Sequence, residues 1–197
     1  MVSGFPIVIS SPSGGGKTTL AGMAMEADSR LSRVVTCTTR QPRGVEKNGR
    51  DYHFLSEKQF LSGIRRGAFA EWARVHTHYY GVPKSGLRRE MRLGKYPLLV
   101  IDVQGGQSIR KAFPEAVLIF LVPPSLKVLR QRLAKRIGGT DNVSLRLETA
   151  KTEMAQAVHY DYAVVNDKLD KAAGQIAAII EAERLRVSRG GVNLRRF

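Results

Sequence analysis

Residues Ser11 to Thr19 read Ser-Pro-Ser-Gly-Gly-Gly-Lys-Thr-Thr and follow directly on the apolar run Pro6-Ile7-Val8-Ile9. Successive glycines let backbone N–H groups turn toward one anion, a lysine adds a mobile positive charge, and a threonine hydroxyl can meet a magnesium ion. The pattern is that of a phosphate-binding loop, G-x-x-x-x-G-K-[ST], with Ser11 in the place of its first glycine. On this reading Ser13, Gly14, Gly15, Gly16, Lys17, Thr18 and Thr19 surround the phosphates of a nucleoside triphosphate. Lys17 reaches the β- and γ-phosphates, and Thr18 meets the Mg²⁺ that arrives with the nucleotide.

A second group of residues handles anions differently. Thr38-Thr39-Arg40-Gln41-Pro42-Arg43-Gly44-Val45-Glu46 is followed by Gly49-Arg50-Asp51-Tyr52-His53-Phe54. Arg40 and Arg43, three apart around a proline, can converge on one phosphate. The planar guanidinium fork suits paired oxygens, and the Tyr52 hydroxyl adds a neutral donor. Two phosphate sites in one chain point to transfer between phosphates.

Both groups need a scaffold. Strands are expected at Ile7–Ser10, Val34–Thr38, Leu98–Val103, Val117–Val122 and Tyr162–Val165, each rich in β-branched or large apolar residues. Leu20, Met23, Ala24 and Ala27 recur at helical spacing, so a helix follows the loop with its N-terminus facing the anion. Further helical periodicity runs through Leu126–Leu129–Leu133, Leu145–Val158 and Ala172–Ile180. This alternation predicts an α/β fold with a parallel sheet core flanked by helices. The rhythm breaks between Thr39 and Val82, where turn residues surround short aromatic stretches and a small β-rich insertion is expected.

With 197 residues and 43% apolar content the chain suits one domain with a real core. One cysteine, Cys37, allows no internal disulfide, and the chain does not open on a signal-peptide pattern, so a cytoplasmic setting is expected. The apolar run Ala116 to Val122 is too short to span a bilayer, so no membrane partner is expected. A balance of 32 Lys+Arg against 17 Asp+Glu gives +15, which would attract polyanions. In sequence these cations are spread over several segments without interleaved aromatics, so they read as solvated surface plus phosphate-binding arginines, and nucleic acid is not an expected partner. The four histidines lack metal-ligand spacing, and Mg²⁺ with ATP is the single cofactor expected. Monomer and homo-oligomer both stay open.

The combined segments resemble guanylate kinase, a nucleoside monophosphate kinase with a phosphate-loop fold. The likeness rests on Ser-Gly-Gly-Gly-Lys-Thr at 13–18, Thr-Thr-Arg-Gln-Pro-Arg at 38–43, Gly-Arg-Asp-Tyr-His-Phe at 49–54, Glu-Trp-Ala at 71–73, Tyr-Tyr-Gly at 79–81, Ile-Asp-Val-Gln-Gly at 101–105, Pro-Pro-Ser at 123–125 and Val-Asn-Asp at 165–167. The resemblance implies transfer of the ATP γ-phosphate to GMP or dGMP. It implies a core at about 1–33, 83–125 and 160–190, a GMP-binding subdomain at 34–82, a helical lid at 126–159 and a basic tail at 188–197.

The resemblance also assigns residues. Arg40, Arg43, Tyr52 and Tyr80 hold the GMP phosphate, Glu71 takes the guanine edge with Thr36 beside it, and Asp102 stands at the GMP side of the nucleotide site. Guanine offers adjacent N–H donors that one carboxylate can accept together, whereas adenine places an acceptor at N1. Lid residues Arg132, Arg136 and Arg146 join Lys17 in neutralising the migrating phosphoryl group, and Asn166 lies near adenine. Three positions depart from the family pattern. Val82 replaces a hydroxyl beside the guanine site, Val100 replaces an acid before Asp102, and the lid segment 136–142 has altered spacing. These departures leave two alternatives, a non-catalytic binding module of the same fold and a kinase of relaxed base specificity.

Overall fold

The computed structural model describes residues 4–137 and 143–189. Its centre is a parallel sheet of five strands: β1 (Ile7–Ser10), β2 (Leu31–Arg33), β7 (Tyr96–Val100), β8 (Val117–Val122) and β9 (Tyr162–Val165), in the order β2-β7-β1-β8-β9. A strand covered on both faces should be apolar throughout, and β1 and β8 are, with Ile7, Val8, Ile9, Leu118, Ile119, Phe120 and Leu121 all fully buried. Alternate side chains serve opposite faces. Ile7, Ile9, Ile119 and Leu121 pack toward α1 (Lys17–Ala27) and α7 (Leu169–Leu185), while Val8, Leu99 and Leu118 pack toward α3 (Lys84–Arg92) and α4 (Val103–Ala112).

The remaining strands, β3 (Cys37–Thr38), β4 (His53–Phe54), β5 (Phe69–Val75) and β6 (His78–Pro83), form a second sheet in the order β4-β3-β6-β5. Its β3–β4 pair is parallel, and β3–β6 and β5–β6 are antiparallel. Helix α2 (Glu57–Arg65) packs on this sheet, started by a capping box in which the Ser56 hydroxyl accepts from Gln59 N–H and the Gln59 side chain accepts from Ser56 N–H. Phe60 on α2 is fully buried, stacked on Phe69 at 4.4 Å and on Tyr79 at 5.4 Å between ring centroids. Helices α5 (Leu126–Ile137) and α6 (Val143–Ala155) pack on each other through Leu129, Leu133, Val143 and Ala150. Among the described residues no helix is long and apolar enough to cross a membrane.

Several expected boundaries move. Of the expected strand Val34–Thr38 only Cys37–Thr38 is a strand, β3 of the second sheet; the core strand β2 ends before that range, at Arg33, and residues 34–36 link the two sheets. The strand expected at Leu98–Val103 runs from Tyr96 to Val100, since Asp102 caps α4 and Val103 is already helical. The helix expected through Val158 ends at Ala155 and tightens into a 3-10 turn at Gln156–His159. Helices α2, α3 and α4 carry no counterpart in the sequence reading. Of the basic tail, residues 190–197 lie outside the described residues, as does the lid segment 138–142.

Phe60 joins helix to sheet in the insertion, so its truncation tests how that unit is held. Phe60→Ala should destabilise the fold by about 3–5 kcal/mol, whereas Lys58→Ala, exposed on the same helix, should stay within about 0.5 kcal/mol. Denaturant unfolding of both variants measures the difference.

Candidate active site

The loop leaves β1 at its C-terminal end, where the parallel strands of an open α/β sheet present their ligand crevice. Ser11 is fully buried and its hydroxyl donates to the Pro12 carbonyl at 2.8 Å. Gly15 N–H donates to the same carbonyl at 2.9 Å, which closes the turn. Gly16 precedes α1 with φ 91°, and a β-carbon there would stand 2.3 Å from the Asn166 amide nitrogen, so glycine is required on both counts. No side chain caps α1, so its first N–H groups face the loop. Lys17 Nζ donates to the Ser11 carbonyl at 2.7 Å, folding the ammonium back across the loop. Thr18 and Thr19 are exposed on the first turn.

Asn166, expected near adenine, lies against the phosphate loop. It is 1% exposed, and its amide donates to the Gly15 carbonyl at 2.8 Å, so its side chain braces the loop from below. Its Oδ1 is buried, with no hydrogen-bond partner among the described residues. Arg132 on α5 donates to the Asn166 carbonyl at 3.1 Å. Arg146 is exposed on α6, and Arg136 lies on α5 with its side chain outside the described residues.

On the second sheet, Arg40 is 8% exposed and held by Glu46 through two hydrogen bonds of 3.0 and 2.9 Å. Its guanidinium carbon stands 5.5 Å from the Tyr52 ring centroid, and Tyr80 reaches it through its hydroxyl. The Tyr52 and Tyr80 rings meet edge to face at 6.3 Å. Arg43 is exposed, with its backbone N–H donating to Glu46 at 2.8 Å. The pairing with Arg40 holds the Glu46 carboxyl below its ordinary range and the guanidinium above its own. One carboxylate thus organises both arginines, a role that sequence reading missed although Glu46 ends the quoted segment. Thr36 stands beside this group, its carbonyl accepting from His53 N–H at 2.8 Å.

Glu71 projects from β5 directly opposite Val82 of β6. Val82 is 2% exposed and belongs to the core, so no hydroxyl reaches Glu71 from that strand. The N-terminus of α4 closes the other side, where a β-carbon on Gly105 would approach Glu71 Cγ to 3.2 Å. Burial, reinforced by the nearby Asp102 carboxylate, pushes the Glu71 carboxyl up to about 7. Asp102 is the N-cap of α4, accepting from Gly105 N–H at 2.8 Å, and its carbonyl accepts from the Ser10 hydroxyl at 3.3 Å. These contacts bring the insertion and the phosphate-loop end of the core sheet together at one point. Val100, 40% exposed, closes the strand beside them.

Glu153 of α6 is a second residue that sequence reading did not single out. It lines a cavity of about 600 Å³ between α4 and α6, together with Asp102, Gln104, Gln107 and Lys111. Its Oε2 is buried without a partner, and burial raises its carboxyl against the opposing pull of Lys17 and the Ser13 N–H. Only the folded arrangement reveals this, because Glu153 and Lys17 are far apart in sequence. Among the described residues no three His, Cys, Asp or Glu side chains gather into a metal site. The Thr18 hydroxyl is a hard oxygen donor suited to Mg²⁺, with the remaining ligands left to phosphate and water.

Comparison with known proteins agrees with this architecture. The sequence profile of the family described as guanylate kinase matches residues 3–183. Guanylate kinase of Polaromonas sp. strain JS666 is 44% identical over 184 residues, covering 92% of this chain and 88% of the relative. Guanylate kinase of Thermotoga maritima is 40% identical over 193 residues, covering 96% and 92%. The crystal structure of guanylate kinase from Anaplasma phagocytophilum superposes with a TM-score of 0.73 at 34% identity, covering 95% of this chain and 90% of that one. A parallel sheet that carries a phosphate loop, a second sheet that carries an arginine pair and a buried glutamate, and matches along nearly the whole length lead to one conclusion: the chain belongs to the guanylate kinase family.

Proposed function

We propose that this protein transfers the γ-phosphoryl group of Mg·ATP to GMP or dGMP, giving ADP and GDP. The observation that carries the reading is the contact of Glu71 with Asp102 and Gly105, which sets a base-reading carboxylate of the insertion beside the end of the sheet that bears the phosphate loop.

The donor binds on the loop. Backbone N–H groups of residues 13–19 and the start of α1 cradle its phosphates, and Lys17 turns from the Ser11 carbonyl to the β- and γ-phosphates. The Thr18 hydroxyl holds the Mg²⁺, which neutralises developing charge on the β- and γ-oxygens. Asn166 supports the donor site by holding the loop. The acceptor binds on the second sheet, with its phosphate on Arg40, Arg43, Tyr52 and Tyr80 and its guanine edge on Glu71, Thr36 and Asp102. An oxygen of the GMP phosphate attacks the γ-phosphorus while the bond to the β–γ bridging oxygen breaks. That nucleophile is already anionic, so no general base is required, and positioning with charge neutralisation supplies the catalysis. Lys17 and the lid arginines Arg132, Arg136 and Arg146 supply that charge, and closure of the lid excludes the water that would otherwise accept the phosphoryl group.

Three measurements test this reading. ADP release with GMP, dGMP, AMP, CMP, UMP and dTMP as separate acceptors should be high for the guanine nucleotides alone, and absence of turnover with GMP overturns the proposal. Lys17→Ala should lower kcat by about 10²–10³-fold, the scale for losing one positioned charge in the transition state. The pH dependence of GMP affinity tests Glu71. Guanine N–H donors need the carboxylate, and burial beside Asp102 holds that carboxyl at about 7, so binding below this value must expel a proton. GMP affinity should therefore fall by up to about tenfold per pH unit below 7. The phosphate of GMP also titrates near pH 6, so the same titration on Glu71→Gln isolates the glutamate. A variant that keeps the full pH dependence removes Glu71 from base recognition.

A further inference from the structure

Helix α3 turns a strip of cations to solvent. Lys84, Arg88 and Arg92 recur at every fourth residue, about 6 Å apart along the axis, and Arg89 and Lys95 flank them. Arg88, Arg89, Arg92 and Lys95 are exposed, and Lys84 is half-buried. The end of α2 adds to the strip, because Lys84 N–H donates to the Ala68 carbonyl and its ammonium stands 4.0 Å from where a β-carbon on Gly67 would lie, next to the exposed Arg65 and Arg66. Among the described residues none of these cations forms an ion pair. Six arginines elsewhere, Arg30, Arg40, Arg50, Arg110, Arg184 and Arg189, each meet a carboxylate. Like charges four residues apart destabilise a helix by a few tenths of a kcal/mol per pair, and Glu90, the one acid of α3, pairs with none of these cations among the described residues.

The shape of the strip selects its partner. Its charges lie in a row and do not converge, so a single small anion meets only one or two of them. The apolar residues Leu87 and Met91 of α3 are buried in the core at 0% and 8% exposure, so the helix has no apolar face to lay into a bilayer. A polymer with evenly spaced phosphates matches a row of evenly spaced cations. Residues 84–95 contain no aromatic side chain to stack on a base, so the contact is to the backbone and independent of sequence. We infer that the outer face of α3, extended by Arg65 and Arg66, binds the phosphate backbone of nucleic acid. In sequence order these cations are interrupted by the buried Leu87 and Met91, and only the helix gathers them on one side.

The test uses the full chain and a fluorescent oligouridine of about 20 nucleotides, with binding read by anisotropy between about 50 and 200 mM salt. The five cations of residues 84–95 predict a slope of log K on log salt near −3.5, and contacts by Arg65 and Arg66 take it to about −4.9, since a single strand gives about −0.7 per contact. Arg88→Ala/Arg89→Ala/Arg92→Ala should flatten the slope by about 2 and weaken binding at least tenfold at the low-salt end. Lys127→Ala/Lys168→Ala/Lys171→Ala removes the same charge from other exposed sites and should leave both nearly unchanged. Unaltered ATP and GMP turnover in the arginine variant shows that it is folded. No binding at low salt overturns the inference, as does equal loss in both variants. Binding to phosphatidylserine vesicles in place of the oligonucleotide also overturns it.

Discussion

A loop that grips phosphate must keep several backbone N–H groups aimed at one point with no protein acceptor across from them, and the rest of the fold makes that arrangement tolerable. Such groups are normally paired inside a protein. Here the loop is pinned from behind, by a fully buried β1, by the Ser11 hydroxyl and Gly15 N–H that share the Pro12 carbonyl, and by the Asn166 amide on Gly15. The donors left at the front form the anion site. Glu153 of α6 stands near this front, where Lys17 and the Ser13 N–H favour its charge against the cost of burial.

The acceptor side solves a related problem with side chains. A nearly buried guanidinium requires a counter-charge, and Glu46 supplies one with two good hydrogen bonds. The result is an arginine of fixed direction, stacked near Tyr52 and Tyr80. Glu71 is the opposite case. Among the described residues it has no ion-pair partner, and two influences, burial and Asp102, disfavour its charge. In the proposed function, an ion-paired arginine for the phosphate and a carboxyl held ready for the base are complementary ways of preparing one nucleotide site.

How much of this was legible in the sequence follows from which signals are local. Strands β1 and β8 stand out because both of their faces are buried and apolar runs result. The glycines and lysine of the loop announce themselves through backbone geometry. Helix α4 hides because Gly105 and Gly106 lower its propensity, and the first was needed for close approach to Glu71. Helix α3 hides because its run Leu-Arg-Arg-Glu-Met-Arg shows only two apolar residues. Helix α2 carried a readable start, Ser56 with Gln59 three residues later, that the surrounding turn residues obscured. Among site residues, those in short motifs were accessible from order alone. Glu46, Glu153 and the buried setting of Asn166 depend on contacts between distant segments.

Asn166 has a mechanical consequence. Its side chain holds the loop and its carbonyl holds Arg132 of α5, while its N–H is anchored on the Val122 carbonyl at the end of β8. Three bonds in three directions make it a fulcrum whose bearing is the edge of the central sheet. Arg132 of α5 and the phosphate loop thus share this one residue as their common support on the central sheet.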